Sequence, residues 1–219
     1  MTTFPHYLTT LDYLPLENIF FPSEVPSNKL IIILHGRGGK AEDFTWIAET
    51  FGFDDIHYLL LNAPTAYGEG YSWYQDAPHH SEGINVSSSL LTQTFNMLFE
   101  KDFDASEGFL LGFSQGALLT FEFGARYEKK MAGYFAISGH LNDPTLLLKE
   151  MNPELKTANW ICTHGTQDEA LDFETAKNQI EVLQDGGFNI TFKSYAKTHN
   201  IIEEEVKIIQ EWIMLYSQR

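Results

Sequence analysis

The stretch Phe109-Leu110-Leu111-Gly112-Phe113-Ser114-Gln115-Gly116-Ala117 decides how this chain is read. It predicts a buried strand, a sharp turn with Ser114 at its apex, and then a helix. Gly112 and Gly116 stand two residues either side of the serine, giving the spacing G-x-S-x-G. The spacing has a steric cause. A nucleophile elbow holds its serine in a strained backbone conformation, and the flanking strand and helix crowd the positions two before and two after it. Only small residues fit there, and the turn lifts the hydroxyl out of the sheet toward a substrate.

Outward from this stretch, short apolar runs recur along the chain. They are residues 29–35 (KLIIILH), 56–62 (IHYLLLN), 108–113 (GFLLGF), 133–138 (GYFAIS), 159–164 (NWICTH) and 188–195 (FNITFKSY). Near-continuous apolar strands of this kind belong to a sheet covered on both faces. Helical patterns lie between them. In 172–185, Phe173, Ala176, Ile180 and Leu183 share one face, and Gly186-Gly187 supplies the stop. In 86–100, Leu91, Phe95 and Leu98 share a face. In the last segment Ile202, Val206, Ile209, Ile213 and Tyr216 recur at helical spacing, with Asn200 as the expected cap and Glu203 to Glu205 in the first turn. The helix after Ser114 is apolar nearly all round, so it is expected to be buried. Strands alternating with helices predict an α/β fold with a mostly parallel central sheet, helices on both faces, and ligands at the carboxyl ends of strands. Residues 14–21 suit an edge strand or hairpin, since the prolines at 15, 22 and 26 favour edge or loop positions. No break in composition divides the chain, so residues 1–219 read as one domain.

Composition narrows the function classes. The chain has 219 residues, of which 43% are hydrophobic and 20% charged, as in globular proteins. Its formal net charge is −16. That sign argues against nucleic acid or an anionic membrane as the main partner, because both attract basic surfaces. With Cys162 as the one cysteine, an intrachain disulfide and a thiolate zinc cluster are excluded. Residues 1–6 (MTTFPH) lack the basic and apolar regions of a signal peptide, and no apolar run is long enough to span a bilayer. A soluble, cytoplasmic protein is the expectation.

A serine hydroxyl near neutral pH needs a base to take its proton and a carboxylate to orient that base. Of the eight histidines, His199 follows the strand at 188–195, precedes the final helix, and is the last in the chain, as the order Ser…Asp…His requires. His164 precedes the expected carboxylate. His35 and His140 end other strands and could line the same cleft, while His79-His80 sit in a polar loop. The carboxylate should follow a strand between the serine and the histidine. Asp168 in His164-Gly165-Thr166-Gln167-Asp168-Glu169 fits, with Glu169 as chief rival and Asp143 as a weaker one. Asp172 suits a helix cap. Oxyanion donors are expected at the backbone N–H of Gln115, the residue after the nucleophile, and of Arg37, in the glycine-rich run Gly36-Arg37-Gly38-Gly39. That run also matches G-x-G-x-x-A with Ala41, but the acidic pair Asp54-Asp55 precedes the next strand instead of ending it, unlike a dinucleotide site. A phosphate-binding P-loop fails, because Leu34 replaces its first glycine and Ala41 its Ser or Thr.

These residues resemble the small carboxylesterase/phospholipase group of α/β-hydrolases, which includes the acyl-protein thioesterases. The matching pieces are LHGRGG at 34–39, NAP at 62–64, SWY at 72–74, GFSQGA at 112–117, ISG at 137–139 and HGTQD at 164–168, followed by a histidine before the last helix. They run in family order over about the whole chain. The resemblance implies Ser114 as nucleophile, Asp168 as orienting acid, His199 as base, backbone donors at Arg37 and Gln115, and Trp73 beside the acyl or alcohol pocket. Two departures stand out: Thr198 where the family usually has glycine, and Ala117 where a second glycine is common. The connection 63–84, with Tyr67, Tyr71, Trp73 and Tyr74, is the expected cap over the site.

The expected activity is therefore hydrolysis of carboxylic esters or thioesters through an acyl-enzyme, with no metal or organic cofactor required. Short esters, lysophospholipids, acylated proteins and acylated sugars all stay open as substrates, as does a homodimer paired through apolar residues near the cap. A non-catalytic binding protein on a hydrolase fold is the rival from another class. A peptidase or a dienelactone-type hydrolase is the rival among enzymes, although the latter usually carries cysteine at the elbow.

Overall fold

The computed structural model describes residues 9–101 and 103–216. The N-terminal residues 1–6, read for a signal peptide, lie outside that range. Seven strands form one sheet: β1 (Asn18–Phe21), β2 (Leu30–Leu34), β3 (His57–Leu61), β6 (Gly108–Phe113), β7 (Gly133–Ile137), β8 (Trp160–Gly165) and β9 (Ile190–Tyr195). Their order across the sheet is β1-β3-β2-β6-β7-β8-β9. Only β1 runs antiparallel, against β3; the other pairs are parallel. A separate small hairpin pairs β4 (Thr65–Tyr67) with β5 (Gly70–Ser72).

Period-two side-chain alternation splits each central strand between two cores. Ile32, Leu34, Leu110, Ala136 and Cys162 face one side, where α2 (His80–Lys101), α3 (Gln115–Glu122), α4 (Pro144–Glu150) and α5 (Phe173–Asp185) pack. Ile31, Ile33, Leu111, Phe135 and Ile161 face the other, against α1 (Thr45–Phe51) and α6 (Glu203–Tyr216). This two-sided cover is why the strands read as continuous apolar runs. Each such leucine or isoleucine, fully withdrawn from water, contributes about 1.5–3 kcal/mol. On the first face Trp160 lies flat between Tyr134 and Phe121, with ring centroids 4.0 and 5.2 Å away.

All eight residues of α3 are buried, as its apolar circumference requires. Three departures from the sequence reading are local. Helix α2 begins at His80, not at 86, because Gly83 lets the chain pass Tyr74: a Cβ there would sit 2.8 Å from the Tyr74 Cα. Asp143 caps α4, accepting from the Leu146 N–H at 2.9 Å, and takes no part in the site. Asn200 does not cap α6. The helix starts at Glu203, and the Glu205 carboxylate accepts from the Ile202 N–H at 3.0 Å. Asp172 does cap α5, through the Thr175 N–H.

Cys162 is 1% exposed in β8, and burial pushes its thiol up to about 12. A disulfide reagent at about pH 8 is therefore expected to leave the native protein unmodified and to titrate one thiol per chain once it is denatured. Fast modification of native protein would show that β8 opens.

Candidate active site

The chain reverses its direction of travel across the sheet between β2 and β6. It steps outward from β2 to β3, then returns past β2 to β6, whose Gly112 pairs with Leu34. Loops at the carboxyl ends of β2 and β6 therefore diverge and leave a crevice between them. Ser114 stands at that point, with φ 55 and ψ −113. A positive φ is costly for a residue with a side chain, and such strain concentrates at functional turns. The glycines confirm the steric argument. A Cβ on Gly112 would collide with the Gly116 carbonyl, and one on Gly116 with the Leu34 carbonyl. Gly36, in the loop after β2, passes so near that a Cβ there would lie 3.1 Å from the Ser114 Cβ.

The structure brings Ser114, His199 and Asp168 together from the ends of β6, β9 and β8. The Ser114 hydroxyl donates to His199 Nε2 at 2.9 Å, and His199 Nδ1–H donates to Asp168 Oδ2 at 2.7 Å. The other carboxylate oxygen accepts from the Ala170 and Leu171 amides, both at 2.9 Å. Burial alone would raise the Asp168 pKa, but the hydrogen bonds from His199 and these amides outweigh it and hold the carboxyl below its ordinary value. The His199 ring rests on Phe113, with centroids 5.0 Å apart. Glu169, the rival carboxylate, is exposed.

Arg37 and Gln115 both line the cleft of about 510 Å³ that contains Ser114, together with Gly36, Tyr74, Asp76, Phe113, Ala170, Leu171 and His199. Gln115 begins α3, so its N–H belongs to the helix's first turn and has no intrahelical acceptor. The loop carrying Arg37 is fixed by Gly38 N–H to Tyr71 O at 2.8 Å and Gly39 N–H to Gly36 O at 3.1 Å. The Arg37 guanidinium bridges to Asp76 through two hydrogen bonds and lies over the Tyr67 ring. Both partners line the cleft. Neither partner's role was visible in the sequence, since the residues are far apart and each is an ordinary surface type.

Trp73 does not line this cleft. It is 1% exposed, its indole N–H donates to His35 O at 2.8 Å, and it borders a neighbouring cavity of about 330 Å³. The Gln115 carboxamide accepts from Ser72 Oγ and the Trp73 N–H and donates to Tyr74 O, clamping the strap 72–74 onto α3. His35 is likewise buried, its Nε2 accepting from the Ala63 N–H. His140 donates to Asp172 O and stacks on His164. His164, which precedes Asp168 in the chain, lies fully buried with Nε2 3.5 Å from Asp168 Oδ2. Burial lowers its pKa, so it stands there neutral. His79 and His80 stay at the surface.

The two unusual positions are accommodated. Thr198 is exposed and has no positive φ, so no glycine is needed there. Ala117 is wholly buried, and Gly139 makes its room: a Cβ on Gly139 would lie 2.5 Å from the Ala117 Cβ.

A mostly parallel sheet with helices on both faces and an elbow serine at its switch point defines an α/β-hydrolase, and the chain is a serine hydrolase of the carboxylesterase/phospholipase type. The sequence profile of the Phospholipase/Carboxylesterase family matches residues 18–217, and the chain belongs to that family. Acyl-protein thioesterase 1 of Debaryomyces hansenii is 28% identical over 205 residues, covering 83% of this chain and 88% of its own. Among solved structures, SOBER1 of Arabidopsis thaliana superposes with a TM-score of 0.80 at 22% identity, covering 87% of this chain and 99% of its own. Esterase PE8 superposes with a TM-score of 0.81 at 20% identity over 90% and 97% of the two chains. Among the described residues no helix is long and apolar enough to cross a membrane.

Proposed function

We propose that this protein hydrolyses carboxylic esters or thioesters of small acyl compounds through an acyl-enzyme on Ser114. The observation that carries the reading is the continuous hydrogen-bonded chain from Asp168 through His199 to Ser114, at 2.7 and 2.9 Å. His199 Nε2 takes the hydroxyl proton as Ser114 Oγ attacks the acyl carbon. The tetrahedral oxyanion is held by the Arg37 and Gln115 N–H groups, each such donor being worth roughly 10²–10³ in rate. His199 then protonates the leaving alkoxide or thiolate. Water, deprotonated by the same imidazole, releases the acid and restores the hydroxyl.

The cleft suits such a substrate. At about 510 Å³ it falls within the usual range for small ligands, and Phe113, Ala170 and Leu171 give it an apolar wall for an acyl chain. The carboxylesterase and acyl-protein thioesterase names of its relatives support both oxygen and sulfur leaving groups. One sheet with a core on each face supports reading residues 1–219 as a single domain.

A fluorophosphonate probe, followed by mass spectrometry of the tryptic peptides, is expected to place one adduct on Ser114. A panel of esters and thioesters of graded acyl length is expected to be turned over, with an optimum that the cleft sets. Absence of both adduct and turnover would overturn the reading in favour of a binding protein on this fold.

A further inference from the structure

Lys197 lies two residues before His199 and is 4% exposed, an unusual place for a lysine. Its ammonium is enclosed by three partners. It donates to Ser138 Oγ at 2.8 Å and to Asn200 O at 2.6 Å, and it lies 2.7 Å from Glu205 Oε1. The last contact is an ion pair by distance; no directed hydrogen bond reaches that oxygen. The Glu205 side chain is itself wholly buried, and its other oxygen holds the Ile202 N–H at the start of α6. Nothing in the proposed chemistry uses either residue.

What the ammonium joins is informative. Ser138 directly follows β7 with φ 51, Asn200 follows His199 directly, and Glu205 belongs to α6. The Lys197 main chain reaches a fourth segment: its carbonyl accepts from the Gln167 N–H at 3.1 Å, beside Asp168. Gly165 is bare because the Lys197 and Thr198 carbonyls press on it. One residue thus ties the turns bearing Asp168 and His199 to the neighbouring strand and to the helix behind. Burying two charges carries a large desolvation penalty, and hydrophobic packing would serve stability as well or better. The His199 loop, by contrast, must hold its imidazole to a fraction of an ångström, and a 1 Å error costs about 10²-fold in rate.

We propose that Lys197 is a positioning residue for the hydrolytic reaction: its buried ammonium, braced by Glu205, fixes the His199 turn against the end of β7. This rests on the functional reading given above.

The test uses the full chain and a double variant, Lys197→Met/Glu205→Gln, which removes both charges and keeps their volume. Exchanging a buried ion pair for neutral groups of similar size usually preserves stability, so folding and catalysis separate. The variant is expected to keep its melting temperature within a few degrees and KM within about twofold, while kcat and the rate of fluorophosphonate labelling fall about 10- to 100-fold. Leu183→Ala in α5 serves as a control that loses stability away from the site and should retain kcat. A folded double variant with kcat within twofold of wild type overturns the proposal, as does an equal loss of kcat in the control. Should the double variant not fold, Ser138→Ala decides. It keeps the ion pair, and it must lower kcat severalfold at unchanged KM, or the proposal fails. A wild-type chain that is neither labelled nor active overturns the functional reading and this proposal together. A labelled wild type with an unaffected variant overturns this one alone.

Discussion

Ser114→Ala is expected to lower kcat by roughly 10⁶-fold, and adding His199→Ala to it should cost almost nothing more. The two side chains act as one unit. Without the hydroxyl, the imidazole has no proton to accept; without the imidazole, the hydroxyl is a neutral alcohol too weak to attack. Residual turnover then comes from the cleft and its oxyanion donors acting on water, which neither change removes. The substitution also leaves the fold in place. Alanine keeps the Cβ for which the bare Gly36 leaves room and inherits the same positive φ, so melting should shift little. Single-turnover kinetics of the two single variants and the double would check it. Losses that multiply in the double variant would show that serine and histidine work independently, and the hydrogen bond between them would then be incidental.

That a serine, an aspartate and a histidine far apart in the chain could be matched at all follows from the architecture. Where strands run parallel, each carboxyl-end loop opens at the same edge, so the loops after β6, β8 and β9 bring Ser114, Asp168 and His199 to that one edge. The glycines at 112 and 116 were legible because backbone carbonyls, which any fold of this kind must have there, exclude a side chain. The parts that escaped notice depend on side chains meeting across the fold. The indole of Trp73 suits either a pocket or a core, and the hydrogen bond that orients it goes to His35 O, 38 positions away in the chain. Asp143 had the position of a catalytic acid, but Pro144 after it makes it the cap of a helix. The hairpin β4–β5 is short, and its outer strand is exposed, so no hydrophobic periodicity announces it. Lys197 is harder still. A lysine between Ala196 and Thr198 reads as surface, and its burial is set by Ser138 and Glu205 from other elements.

Asp168→Asn is expected to lower kcat by roughly 10⁴-fold while leaving the site's geometry almost unchanged. The carboxamide oxygen can still accept from the Ala170 and Leu171 amides, which hold the turn. Its NH₂ then faces His199 Nδ1, where the carboxylate oxygen stood at 2.7 Å. A donor there makes Nδ1 the acceptor and puts the ring proton on Nε2, facing Ser114. The imidazole can no longer take the hydroxyl proton, and no carboxylate steadies the imidazolium once formed. The same substitution has a signature in stability. Hydrogen bonds hold the Asp168 carboxyl below its ordinary value against the opposing effect of burial, so its stabilising contribution is complete above the unfolded-state value of about 3.9. It is lost as pH falls through the lower, folded-state value. The variant should therefore melt below wild type near neutral pH, and the gap should close in acid as the wild-type carboxylate takes up its proton. Melting curves of both proteins between neutral pH and about pH 3 measure this directly. A gap that widens on acidification would mean that Asp168 is more readily protonated in the folded chain than in the unfolded one. In that case the hydrogen bonds from His199 and the two amides would not favour the ionised carboxylate, on which its part in orienting His199 rests.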